Sequence, residues 1–107
     1  MLESNFQKLL IKDIKNRLPG CEVLKNDASY KQGIPDLVIF YKKRWAMLEV
    51  KKDEKASHRP NQDFRIEKYN QMSFARIIFP ENKEEVLDAM ERSLKGHTRR
   101  NSCVSWS

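Results

Sequence analysis

The sequence predicts an α/β fold with its elements in the order α-β-β-β-α-β-α. Three observations carry that expectation. Apolar residues recur at helical spacing near both ends of the chain and after Pro60; four short runs rich in β-branched, aliphatic and aromatic residues lie between them; and Pro, Gly or charged clusters punctuate the joins. At 107 residues the chain is the size of one domain with one core, a size that is often completed by dimerisation.

The first helix is expected from Glu3 to about Leu18, with Leu2, Phe6, Leu9, Leu10, Ile14 and Leu18 recurring along it and Pro19-Gly20 as its stop. Glu3 shares a stripe with Gln7, Leu10 and Ile14 at the border of the buried face, so it can point toward a sheet; as a first-turn acid it equally suits the positive end of the helix dipole. Cys21 to Lys25 reads as the first strand, and Asn26 to Gly33 as a polar loop.

Leu37 to Tyr41 and Trp45 to Val50 then read as the two strands of an antiparallel hairpin, joined through Lys42-Lys43-Arg44. With a two-residue turn at Lys42-Lys43, Tyr41 faces Arg44, and counting back sets Asp36 opposite Glu49, with Lys51 on the face of Glu49. A three-residue turn would instead set Asp36 opposite Val50 and on the other face, unless a bulge restored it. Opposed carboxylates are destabilising. Either one stays protonated or a divalent cation sits between them; hard oxygen ligands without a nearby Cys or His favour Mg²⁺ or Mn²⁺. Taken singly, Pro35-Asp36 is an ordinary strand start, and Glu49-x-Lys51 on a half-exposed strand would be a solvated face. The apolar Ala46, Met47, Leu48 and Val50, however, predict a central strand covered on both sides, where charges need partners.

After a charged stretch from Lys52 to Arg59, Pro60 suits the first turn of a helix reaching about Gln71, with Ile66 and Tyr69 as its inner stripe and Gln62 on that stripe. Gln62 is either a polar residue at a helix start or an amide turned toward the sheet. Ser73 to Phe79 makes the fourth strand, closed by Pro80. Asn82-x-x-Glu85 reads as a capping box for a last helix with Val86, Leu87, Met90 and Leu94 inward. Residues 1–94 are expected to form the domain, and residues 95–107, basic and polar, a disordered tail. Cys21 and Cys103 lack metal spacing and read as free thiols rather than a disulfide. His58, alone in a charged loop, reads as a surface residue. No run approaches the roughly eighteen apolar residues of a membrane helix, and the expectation is a soluble, intracellular protein.

The stretch Gly33-Ile34-Pro35-Asp36-Leu37-Val38-Ile39-Phe40, followed by Glu49-Val50-Lys51, resembles the signature of the PD-(D/E)XK nuclease superfamily. With Pro60-Asn61-Gln62 downstream it is similar to the VRR-NUC branch and to phage and archaeal Holliday-junction resolvases. The resemblance covers residues 3 to about 94. It implies a restriction-endonuclease-like core with a mixed central sheet flanked by helices. It further implies a metal site made by Asp36, Glu49 and the carbonyl of Val50, and Lys51 acting on the attacking water. Glu3, as an acid from the first helix, would be a further metal-site ligand, directly or through water, and Gln62 part of the active centre. The implied activity is Mg²⁺- or Mn²⁺-dependent endonucleolytic hydrolysis that leaves a 5′ phosphate, on branched DNA such as a Holliday junction, by a cytoplasmic homodimer, including a phage-encoded one in a bacterial host. No small-molecule cofactor is implied.

The charge balance, 21 Lys+Arg against 15 Asp+Glu for a net +6, suits a phosphate-bearing partner. Ser29, Tyr30, Lys31, Lys52 and Arg59 are the candidate DNA contacts beside the site, with Lys25, Lys42, Lys43, Arg44, Lys55 and Arg65 as further candidate phosphate contacts. The alternatives are a nicking, restriction or DNA-end-processing enzyme with the same centre, and outside that class a non-catalytic basic DNA-binding module or a protein-interaction domain.

Overall fold

The computed structural model describes residues 2–26, 34–56 and 60–96, without the side chains of residues 60 and 61. The described elements are α1 (Glu3–Arg17), β1 (Glu22–Lys25), β2 (Leu37–Tyr41), β3 (Arg44–Val50), α2 (Pro60–Met72), β4 (Phe74–Ile78) and α3 (Lys83–Lys95), with a 3-10 turn at Pro80–Asn82. This is the predicted order. The strands lie side by side as β1-β2-β3-β4; the first three are antiparallel and β4 runs parallel to β3, so the sheet is mixed. A parallel neighbour requires a crossover, which α2 supplies.

The hairpin closes through a two-residue turn. Tyr41 pairs with Arg44 and Leu37 with Leu48, and Lys42 takes φ 56°, a left-handed conformation of the kind such tight turns demand. Side-chain alternation then sorts the sheet. Leu37, Ile39, Ala46, Leu48, Val50, Phe74 and Ile78 are buried in one core with Phe6, Leu10, Ile14 and Leu18 of the first helix and its cap, and with Val86, Leu87, Met90 and Leu94 of α3. Apart from Ala46, each such side chain withdrawn from water contributes roughly 1.5–3 kcal/mol, so α1 and α3 are held to this face chiefly by burial. The opposite face carries Asp36, Val38, Phe40, Trp45, Met47, Glu49, Ala75 and Ile77. There α2 packs on β4, where Ala75 is buried.

That placement corrects the expectation that β3 is covered on both sides. Ala46, Leu48 and Val50 are fully buried, whereas Trp45, Met47 and Glu49 are only half-buried, because α2 lies toward the β4 side of the second face. Leu2 and Leu9, expected in the buried stripe of α1, are exposed at 69% and 48%. The stripe that reaches the core is Phe6, Leu10, Ile14 and Leu18, flanked by Ile11 rather than Leu9.

The expected capping box at Asn82 does not form. The Asn82 Oδ1 instead accepts the Phe79 N–H at 2.9 Å and its Nδ2 donates to the Ile77 carbonyl at 3.1 Å, so the side chain is occupied closing the turn after β4. Ser73, expected in the fourth strand, completes the end of α2: its N–H donates to the Tyr69 carbonyl at 3.0 Å and its hydroxyl to the Trp45 carbonyl. A charged clasp joins the two core helices, with Arg17 reaching Glu84 and Asp88 at 2.7 Å and Glu91 at 3.2 Å, and Lys83 pairing with Asp13.

The last helix runs through Lys95, one residue past the expected domain boundary, and Gly96 ends it at φ 75°. Arg44, expected among the phosphate contacts, is committed to that end: its Nη1 donates to the Ser93 carbonyl at 3.0 Å. The expected tail from residue 97 onward, including Cys103, lies outside the described residues. Among the described residues Cys21 has no disulfide partner, and burial pushes its thiol up, toward the protonated form. No described helix is long and apolar enough to cross a membrane.

Candidate active site

Continuing the β2–β3 register by one residue sets Asp36 opposite Glu49. Counted from the Tyr41–Arg44 pair that closes the turn, this is a non-hydrogen-bonded position, where facing side chains stand closest. The two-residue turn therefore delivers the opposed acids, and Lys51 follows on the same face.

Asp36 and the segment leading into it are held by three hydrogen bonds. The Asp36 Oδ2 accepts the Val50 N–H at 2.9 Å, its carbonyl accepts the Asn26 N–H at 2.8 Å, and the Asn26 side chain donates to the Ile34 carbonyl at 3.1 Å. Pro35 is buried beside it. A carboxylate bonded to backbone in this way has little freedom to swing out of the site, and one of its oxygens remains to face Glu49. Val50 thus enters the site through its backbone, since its side chain is in the core. The next N–H, that of Lys51, donates to the Ile78 carbonyl at 2.9 Å and carries the pairing with β4 past the end of the strands.

Glu49 has 14% of its side chain exposed and Lys51 13%, so both charges sit in a largely dry environment. The Lys51 Nζ lies 3.8 Å from Glu49 Oε2, and Gln62 Nε2 donates to that same oxygen at 2.9 Å. Burial first, and then the facing charge of Asp36, push the Glu49 carboxyl up to about 7, against the pull of Lys51 and of the Asp36 backbone N–H. Glu3 adds a smaller push in the same direction. The acid from α1 is thus near enough to be felt at Glu49, but its side chain is exposed at the rim of the site.

These residues fit a hard divalent cation. Two carboxylates face one another, and the ammonium at 3.8 Å leaves Glu49 still hard to ionise, so a further positive charge at this spot stabilises the ionised pair. No group of three or more His, Cys, Asp or Glu residues forms a protein cage among the described residues. One or two carboxylates completed by water and a substrate phosphate is the usual manner of holding Mg²⁺, in contrast to the all-protein sets that hold structural Zn²⁺. Asp36, Glu49 and the backbone of Val50 are the groups that would hold it.

The five residues expected at the centre are therefore disposed unequally. Asp36, Glu49, Lys51 and Gln62 converge, and Glu3 stands at the edge. Lys52 is exposed just beyond β3. Ser29, Tyr30, Lys31, Arg59 and His58 lie outside the described residues. Asn26, which ties the Ile34–Asp36 segment to the end of β1, was not singled out in the sequence; an Asn directly after a strand is a turn-forming signal and nothing more specific. Comparison with protein-family models, with curated proteins and with solved structures finds no match to this chain.

Proposed function

We propose that the chain is a Mg²⁺- or Mn²⁺-dependent endodeoxyribonuclease with a restriction-endonuclease-like core, as its resemblance to the PD-(D/E)XK superfamily implies. The observation that carries the reading is the shielded Glu49 carboxylate facing Asp36, hydrogen-bonded to Gln62 and beside Lys51. A structural role alone leaves that arrangement unexplained, because an ion pair of Glu49 and Lys51 would be stronger without a second acid opposite.

A bound divalent cation would supply charge neutralisation at the scissile phosphate and favour ionisation of a water molecule. The chain's own residues do the positioning. The backbone-anchored Asp36 and the Gln62-anchored Glu49 would hold the cation through their carboxylates. Gln62 and Lys51 occupy Oε2 of Glu49, which steers Oε1 toward the ligand. Lys51, on the open side of the sheet, orients the attacking water by hydrogen bonding, opposite the 3′ oxygen that leaves, so that the product carries a 5′ phosphate. Glu3 joins from the rim through water.

Branched DNA is the proposed substrate and a homodimer the proposed working unit, since a C2 pair offers two equivalent centres to a junction of similar symmetry. The setting is cytoplasmic. Cleavage of four-way, three-way, flap and linear DNAs with Mg²⁺, with Mn²⁺ and with EDTA tests both activity and substrate. Asp36→Asn should abolish hydrolysis and leave DNA affinity largely intact; an Asp36→Asn protein that cuts at the wild-type rate removes the assignment.

A further inference from the structure

We infer that the sheet face beside the acid pair is a platform for unpaired nucleotides of the DNA strand, with a base stacked on Phe40 opposite Trp45. The inference rests on the nuclease reading and goes further by naming what flanks the scissile phosphate.

The face runs as a strip of cross-strand pairs. Starting from Asp36 and Glu49 it passes Val38 and Met47, and it reaches Phe40 and Trp45 next to the hairpin turn. Leu24 of β1 stands beside Val38 on the same side. Successive same-face pairs are about 6.8 Å apart along a strand, so the aromatic pair lies roughly 14 Å from the acids. Phe40 is 43% exposed and Leu24 46%, and α2, which packs on β4, leaves the β1–β2 side of this face open among the described residues.

Three properties select a single-stranded nucleic acid as the occupant. An exposed Phe opposite a half-buried Trp offers flat π surface, which stacks on any base without reading its sequence. Exposed lysines flank the strip, Lys43 at the turn and Lys52 just beyond Lys51 at the acid end, while its middle, Val38, Met47 and Leu24, is uncharged; Glu22 of β1 pairs with Phe40 and lies on the same side. Lysines on either side of an uncharged floor suit a strand whose backbone is gripped at both ends while a base stacks between them. Finally, the strip is continuous with the Asp36–Glu49 pair, so a strand lying along it brings a phosphate to that pair. A duplex keeps its bases stacked on one another and has no face to offer Phe40. Branch points, flaps and ends do.

The test is equilibrium binding in EDTA at fixed salt, by anisotropy of a fluorescein-labelled oligothymidylate and of a duplex with the same number of phosphates. The wild type should bind the oligothymidylate, Phe40→Ala should weaken it roughly fivefold to a hundredfold, and duplex binding should change far less. Phe40→Tyr, which keeps the ring, should restore affinity, and Phe40→Leu, which keeps apolar bulk without it, should not. Equal losses on both DNAs, or wild-type affinity in Phe40→Leu, would overturn the platform. So would a dimer of the free protein that Phe40→Ala dissociates, since the face would then belong to a second copy of the chain. Because no cleavage is read, the nuclease assignment can fail in the metal assay while the stacking pattern stands, and the reverse.

Discussion

Gln62 Nε2 donates a 2.9 Å hydrogen bond to Glu49 Oε2, tying the first turns of α2 to the last turn of register in β3. The bond holds the acid in place from the side opposite Asp36. It also joins the helix that begins beyond the charged stretch after β3 to the strand that ends before it. A hydrogen bond to a charged group is worth about 1.5–3 kcal/mol, and here that energy goes into the orientation of one carboxylate. Gln62→Ala should therefore lower the cleavage rate by roughly ten- to a hundredfold and raise the Mg²⁺ concentration needed for half-maximal rate, with the far-ultraviolet circular dichroism unchanged. Unaltered kinetics across a Mg²⁺ titration would reduce Gln62 to a helix-start residue.

Glu49 makes the metal-free protein sensitive to pH in an unusual direction. Its carboxyl is raised from an ordinary value of 4.5 to about 7 by burial and by Asp36. The folded form therefore holds a proton that the unfolded chain releases near 4.5, and the folded state binds more protons over that window. Stability from this group is fully present below about 4.5, is lost as pH rises, and is gone above about 7. In EDTA the urea midpoint should fall between these pH values; in Glu49→Gln that decline should disappear, and saturating Mg²⁺ should raise the wild-type midpoint most at the alkaline end. A wild-type midpoint that climbs steadily from pH 4.5 to 7 would contradict the assigned environment of Glu49.

Lys51 should separate chemistry from grip. Its ammonium is 3.8 Å from Glu49 and only 13% exposed, so it points into the site rather than out to solvent. Lys51→Ala should cut far slower than wild type, on the order of a hundredfold or more, while Mn²⁺ binding followed by calorimetry persists. A variant that loses DNA affinity but retains its single-turnover rate would show that the lysine only holds the phosphate backbone.

The hairpin and its acids were legible in the sequence because two local quantities decide them, the length of the turn and the alternation of side chains. Lys42-Lys43 as the turn led directly to Asp36 opposite Glu49. The inward residues of α3 were legible for the same reason, since Val86, Leu87, Met90 and Leu94 repeat with the helical period. What could not be read depends on how separate elements meet. Coverage of Trp45, Met47 and Phe40 depends on where α2 lands on the sheet, and periodicity carries no information about that. Asn82 reads as a helix cap because its spacing from Glu85 fits one, but the carbonyl of Ile77 and the N–H of Phe79 compete for the same side chain and win. Arg44 read as a phosphate contact because it sits among lysines, and only the three-dimensional arrival of Ser93 gives it another partner.

Arg44 and Gly96 form the last testable relationship. A Cβ added at Gly96 would meet Arg44 Nη1 at 2.8 Å, and the backbone there has φ 75°, in the left-handed region where L side chains are strained. The guanidinium is the far end of a flexible side chain and can move, so the larger cost of Gly96→Ala is the backbone, about 1–2 kcal/mol, with loss of the Ser93 contact added if Arg44 is displaced. Arg44→Ala removes that contact and leaves the Ser93 carbonyl with the Gly96 N–H and water, a smaller cost of about 0.5–1.5 kcal/mol. Urea denaturation should therefore rank Gly96→Ala below Arg44→Ala and both below wild type. If Arg44 is spent on the helix end, DNA affinity in Arg44→Ala should stay within about twofold of wild type, because the phosphate contribution comes from other cations. A large drop in affinity with stability unchanged would show that the guanidinium serves the DNA instead.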